Sequence, residues 1–172
     1  MPVTRLNHAV LYVRDVAKSV AFYSETLGFR EVLSVPGAAA FLQASGSTND
    51  HDLGLFQIGS QAGDSGAGRA TVGLYHLAWE VDTLDELQRI AIVLAEAGAL
   101  SGATDHATTK ALYAHDPDGL EFEVSWLVPA DQLHEVPAES RKINRPLDIQ
   151  REIARFGGQR RGGIGVSWPA YA

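Results

Sequence analysis

Apolar and polar positions along the chain follow two periods, and their order predicts the elements. Residues 6–13 read as a strand, with Leu6, His8, Val10 and Tyr12 on one face. Val16, Val20, Tyr23 and Leu27 then recur at helical spacing, with Asp15 placed as an N-cap and Gly28 just past the end. Residues 29–35 and 38–44 are expected strands around Pro36-Gly37. Residues 45–50 form a polar loop, and residues 53–58 a further strand.

The same order returns downstream. Residues 75–81 predict a strand. Thr83, with Glu86 three residues on, has the capping-box pattern of a helix start. Leu84, Leu87, Ala91 and Leu94 make that helix's apolar stripe, and Gly98 closes it. Tyr113 to His115 lead into the turn Asp116-Pro117-Asp118-Gly119, and residues 120–127 form a closing strand. His8 and His76 occupy equivalent points on two first strands, Asp15 and Asp82 follow at nearly equal distance, and Gly28 and Gly98 end the two helices. A repeat this long means two copies of one supersecondary unit, here βαβββ. The modules are expected at about residues 4–58 and 72–127, their sheets mostly antiparallel. A Gly-rich linker at 59–71 joins them within a domain spanning 1–128. The fold class is α+β: two tandem βαβββ modules forming an open, barrel-like cup. A C-terminal tail, 129–172, is irregular except for a short amphipathic helix at 147–156 through Ile149, Ile153 and Phe156.

Composition narrows the function classes. The chain has 172 residues, 45% of them hydrophobic and 20% charged, an ordinary globular balance with enough length for a proper core. Without cysteine, disulfides, zinc–thiolate sites, iron–sulfur clusters and thiol nucleophiles are excluded. The net charge of −7 argues against a nucleic-acid partner, and Arg155, Arg160 and Arg161 read as a solvated basic tail. No apolar run suits a membrane span and residues 1–5 lack a signal-peptide layout, so a cytoplasmic setting is expected.

The candidate chemistry is metal binding. A two-fold repeat places His8 and His76 symmetrically, and Glu121 and Glu123 share a face of the last strand. Two imidazoles and one carboxylate form a facial triad with open coordination positions, suited to Fe(II). Spacing alone leaves open which glutamate serves, and a single strand histidine more often only satisfies a polar neighbour.

The stretch from Thr104 to Glu123 resembles the C-terminal motif of type I extradiol ring-cleaving dioxygenases, in the vicinal oxygen chelate (glyoxalase/bleomycin resistance/dioxygenase) superfamily. Its anchors are His106, Leu112, Tyr113, Asp116, Pro117, Gly119 and Glu123. The resemblance covers about residues 4–128. It implies metal ligands His8, His76 and Glu123, and an acid–base role for His51, in Asp50-His51-Asp52-Leu53-Gly54. It also implies a substrate hydrogen bond from Tyr113 and a site role for His106; some members instead carry a His at the position of Thr104. No separate organic cofactor is expected. The implied reaction is cleavage of a catechol-type ring with O₂, using Fe(II) or, with the same ligand set, Mn(II). Trp79 and Phe41 are plausible pocket residues, and a homodimer is common among proteins of this kind. Two alternatives stand beside this reading. A glyoxalase- or epimerase-like enzyme of the same fold would want a further ligand from residues 53–58, where Gln57 is the one candidate. A metal-free, drug-sequestering binding protein would want none.

Overall fold

The computed structural model describes residues 2–3, 5–67 and 70–163, apart from the side chain of Arg141. The end of the expected C-terminal loop, residues 164–172, lies outside the described residues. The chain divides into two compact units. One is Met1–Ser65 with Asp116–Leu120, the other Gly66–His115 with Glu121–Ala172.

The first unit runs β1 (Ala9–Val13), α1 (Val16–Leu27), β2 (Arg30–Val35), β3 (Ala39–Gln43) and β4 (Leu53–Gln57), and its open sheet has the order β1-β4-β3-β2. β1 pairs parallel with β4, while β2–β3 and β3–β4 are antiparallel. The helix starts where the sequence places it. Asp15 accepts a hydrogen bond from the Lys18 N–H at 3.1 Å, and such a cap contributes about 1 kcal/mol. Gly28 adopts φ 72°, the left-handed turn that ends the helix. α1 buries Val16, Ser19, Tyr23 and Thr26. β2 is an edge strand exposed along its whole length.

The second unit repeats the scheme with β5 (Leu77–Glu80), α2 (Leu84–Glu96), β6 (Leu100–Asp105), β7 (Thr109–His115) and β8 (Glu121–Leu127). Its sheet order β5-β8-β7-β6-β9 matches the first sheet, with one short strand, β9 (Arg145–Pro146), added at the β6 edge. The βαβββ duplication expected from the sequence is therefore present, antiparallel except for β1–β4 and β5–β8. Thr83 caps α2 at the Glu86 N–H, but the Glu86 carboxylate turns to Arg89 rather than back to the cap, so only half of the capping box forms. The buried stripe is Leu84, Leu87, Ile90 and Leu94, with Ile90 in the place expected of Ala91.

The tail packs on this second unit. After two 3₁₀ turns, Ala130–Glu135 and Ala138–Lys142, β9 pairs with Thr104 and Asp105, and α3 (Ile149–Phe156) follows. Asp148 caps α3 at the Arg151 N–H. Phe156 packs against Trp126 with the rings tilted and their centroids 5.6 Å apart. Beneath α3 lies a charged cluster. Lys110 Nζ is 2.5 Å from Asp105 and 2.9 Å from Glu152, all three side chains being at most 7% exposed. The three tail arginines also have partners: Arg160 pairs with Asp131, Arg155 donates to the Glu135 carbonyl, and Arg161 lies 3.8 Å from Asp82. No described helix is long and apolar enough to cross a membrane.

Candidate metal centre

In the second unit the candidate groups share one face of the sheet. Along β8, Phe122, Val124 and Trp126 are buried, so alternation sends Glu121 and Glu123 to the opposite face. β7 pairs with β8 so that Tyr113 lies across from Glu123 and His115 across from Glu121. Directly opposed residues have neighbouring side chains, which makes this a four-residue polar patch. His76, immediately before β5, joins it because β5 runs beside β8, with Leu77 opposite Phe122 and Ala78 opposite Glu123.

His76 separates the two glutamates. Its Nε2 lies 3.3 Å from Glu123 Oε2, whereas its Nδ1 is buried, lacks a hydrogen-bond partner and has Glu121 at 3.8 Å. Glu121 is also 3.8 Å from His115 Nε2. Tyr113 bridges the patch to the loop after β6. Its hydroxyl is 2.9 Å from His106 Nε2 and within hydrogen-bonding reach of Glu123. Burial first, and the Glu123 carboxylate second, push the phenol up to about 12. His106 Nδ1 in turn meets Asn144 Oδ1 at 2.8 Å.

In the first unit, His8 and His51 stand immediately before β1 and one residue before β4. The parallel register of these strands, Ala9 opposite Leu53, brings the two loops together. The rings lie 4.5 Å apart between centroids, and Phe41 packs edge-on against His51 at 5.1 Å. Asn7 Oδ1 lies 2.7 Å from His8 Nδ1, and Asp50 Oδ2 lies 3.2 Å from His51 Nδ1. An acceptor on Nδ1 holds the proton there and leaves Nε2 its lone pair, as a ligand or a base requires. The Asp50 carboxyl is lowered chiefly by the hydrogen bond from the His51 backbone N–H. Behind His8, buried Asn49 fixes the approach of the chain: it donates to the Asn7 carbonyl at 2.7 Å and accepts from Arg5 at 2.5 Å. Gln57 is spent structurally, accepting from the Val16 N–H at 3.2 Å at the start of α1.

The donor chemistry fits a divalent metal. Two ligands about 2.1 Å from one ion are about 3.0 Å apart at an octahedral edge and about 3.4 Å apart in a tetrahedron. His76 Nε2 and Glu123 Oε2, at 3.3 Å, fall in that range. Among the described residues, no group of three or more His, Cys, Asp or Glu side chains is gathered that could hold a metal ion. Sequence reasoning missed Asn144, whose segment carries no motif, and Asn7, whose only signal is its place beside His8.

The sequence motif around the turn also has a structural account. Asp116 Oδ1 accepts from the Asp118 and Leu120 N–H groups, both at 2.9 Å, and Gly119 takes φ 80°. This turn clusters with the first unit, where Tyr23 donates to Asp116 Oδ2 at 3.1 Å and Arg14 binds Asp118 through its backbone N–H and its guanidinium, both at 3.0 Å.

A duplicated βαβββ scaffold of this order defines a class of small α+β proteins. The chain belongs to the Glyoxalase/Bleomycin resistance protein/Dioxygenase superfamily, whose model matches residues 5–124. A catechol-2,3-dioxygenase of Bacillus subtilis (strain 168) is 32% identical over 121 residues, 70% of this chain but 41% of that protein; the chain thus spans less than half the length of this relative. The crystal structure of a glyoxylase/bleomycin resistance protein/dioxygenase domain from Frankia sp. EAN1pec is similar with TM-score 0.62 and 21% identity, covering 78% of this chain and 99% of that one. A point mutant of the fosfomycin resistance protein FosX from Listeria monocytogenes, complexed with Mn(II) and a dihydroxypropylphosphonic acid, is similar with TM-score 0.54 and 17% identity, covering 72% of this chain and 92% of that one.

Proposed function

We propose that the protein is a metal-dependent extradiol dioxygenase that cleaves a catechol-type ring, with His8, His76 and Glu123 holding one Fe(II) or Mn(II) ion. The observation that carries this reading is the Tyr113 hydroxyl, held between Glu123 and His106 beside the His76–Glu123 pair. The match to a catechol-2,3-dioxygenase supports the same choice within the superfamily.

When bound, the metal would supply adjacent coordination positions for a vicinal diol and O₂. The protein does the rest. Asn7 orients His8 through Nδ1. His51, with Asp50 on its Nδ1, presents Nε2 to take one catechol proton and return it as the ring opens. Tyr113 remains a phenol at neutral pH, because burial and Glu123 hold its pKa at about 12, and its oxygen can accept a hydrogen bond from a ring hydroxyl. The lyase or epimerase reading would ask a ligand of Gln57, whose side-chain oxygen already caps α1.

The test is oxygen uptake by Fe(II)-reconstituted protein against a panel of catechols, with formation of a coloured ring-opened product on admitting air. His51→Phe should retain the metal and lose about 10²–10⁴ in rate, the usual loss on removing a general acid–base. Wild-type protein that consumes no O₂ with any catechol, yet isomerises a thiohemiacetal or epimerises a thioester, would refute the assignment.

A further inference from the structure

The tail lies outside the family match at residues 5–124, yet it contributes a side chain to the candidate site. β9 hydrogen-bonds to the β6 edge, Thr104 opposite Pro146 and Asp105 opposite Arg145, and the Leu147 N–H donates to the Ala103 carbonyl at 3.2 Å. These contacts deliver Asn144, the residue before β9, to the His106 ring. The result is a continuous row of polar atoms. Asn144 Oδ1 is 2.8 Å from His106 Nδ1, His106 Nε2 is 2.9 Å from the Tyr113 hydroxyl, and that hydroxyl reaches Glu123.

A phenol has one proton and here two acceptors compete for it. If His106 carries its proton on Nε2, the ring donates to the Tyr113 oxygen and the phenol donates to Glu123. If His106 carries its proton on Nδ1, Nε2 is a lone pair and the phenol can donate to it, leaving both Glu123 oxygens as acceptors. A neutral imidazole has no third choice. An amide oxygen at Nδ1 accepts and cannot donate, so it selects the second arrangement. We propose that Asn144 is a positioning residue which holds His106 as the Nδ1–H tautomer, so that Nε2 accepts the phenolic proton of Tyr113.

The catalytic meaning of this arrangement rests on the dioxygenase reading; the arrangement itself does not. With its own proton directed to His106 Nε2, the Tyr113 oxygen keeps lone pairs free to accept a hydrogen bond from a substrate hydroxyl, while the His106 Nδ1–H is held by Asn144. Asn144 is solvent-exposed and lies in no core, so its replacement removes the acceptor without opening a cavity.

The experiment is long-range ¹H–¹⁵N correlation of the histidine rings in the metal-free full-length protein at mildly alkaline pH, with His106 assigned by loss of its signals in His106→Gln. The wild type should show His106 as the Nδ1–H tautomer. Asn144→Ala should shift it toward Nε2–H, and Asn144→Asp, which can only accept, should restore Nδ1–H. An Nε2–H ring in the wild type, or an Asn144→Ala spectrum unchanged at His106, overturns the proposal. In the reconstituted enzyme, Asn144→Ala should lower kcat about tenfold with KM little changed, and Asn144→Asp should recover part of it; an unchanged kcat overturns the catalytic consequence. If the wild type cleaves no catechol, the functional reading fails while the NMR result still decides the role of Asn144.

Discussion

Lys110 is the residue whose loss should cost the tail most. It is fully buried, and it is the nearest cation to two acids that are themselves almost wholly buried. Glu152 Oε2 sits 2.9 Å from Nζ but off the direction of a hydrogen bond, so that contact is chiefly Coulombic. Replacing Lys110 with Met keeps the length and removes the charge, leaving the formal charge of the trio at −2 instead of −1. The remaining cations compensate only in part. Arg151 donates to Glu152 at 3.0 Å and lies 3.5 Å from Asp105 but is 56% exposed, and Arg155 is 3.8 Å from Glu152 and 36% exposed, so both are partly screened by water. Removing one partner of a buried ion pair costs about 3–5 kcal/mol. At about 2–4 °C per kcal/mol for a chain of this size, the melting temperature should fall by about 6–20 °C. The assay is thermal unfolding by circular dichroism of wild type, Lys110→Met, and the triple variant that adds Asp105→Asn and Glu152→Gln. The triple variant should recover at least half of the loss. The pH dependence carries a sign. Burial alone would raise the Asp105 carboxyl, but the hydrogen bond and charge of Lys110 bring it below its ordinary value. Its contribution is therefore present above the unfolded pKa and is lost as pH falls through the folded one. Without Lys110 the burial of Asp105 is no longer offset by a neighbouring buried cation, so the gap between wild type and variant should narrow in acid. A Lys110→Met protein melting within about 2 °C of wild type at neutral pH, or a triple variant as weak as the single one, would refute this reasoning.

Other outcomes follow from the site and the turn. Glu123→Ala should abolish stoichiometric metal binding while Glu121→Ala leaves it intact, as read by metal analysis after gel filtration; equal metal content in wild type and Glu123→Ala would remove Glu123 from the ligand set. Burial holds the Asp116 carboxyl above its ordinary value despite the N–H groups of Leu120 and Asp118 and the Tyr23 hydroxyl. That contribution is present below the unfolded pKa and is lost as pH rises through the folded one. Melting curves between pH 4 and 7 should therefore shift progressively in favour of Asp116→Asn as pH rises, and a constant difference would contradict the sign.

Periodicity made the duplication legible because both helices carry caps, stripes and closing glycines at matching offsets. It did less well where packing rather than pattern decides. β6 reads Leu-Ser-Gly-Ala-Thr-Asp, without an apolar alternation, and is a strand because β7 and β9 flank it. Residues 6–8 and 75–76 look extended but lie outside the ladders, so His8 and His76 stand just before their strands instead of within them. Lys110 would pass for a surface residue, since nothing local announces the two acids that bury it. In the site, Glu121 and Glu123 are equivalent by alternation, and only the orientation of the His76 ring puts one at Nε2 and the other at Nδ1. Asn144 reaches His106 across 38 positions through a two-residue strand too short to leave a sequence signal.

The attachment of Asp116–Leu120 to the first unit sets an order for events at the ribosome. Arg14 and the acid that binds it are 104 positions apart. At about 5–20 residues per second, the chain would wait roughly 5–20 s between making the arginine and making its partner. During that interval the nascent unit has its helix and four strands, and Arg14 can already meet Asp64 and the Ala62 carbonyl, but Asp118 for Arg14 and Asp116 for Tyr23 are still missing. A truncated chain ending at the linker would keep that deficit permanently, so the first βαβββ segment expressed alone should be a poorer folder than its regular pattern promises.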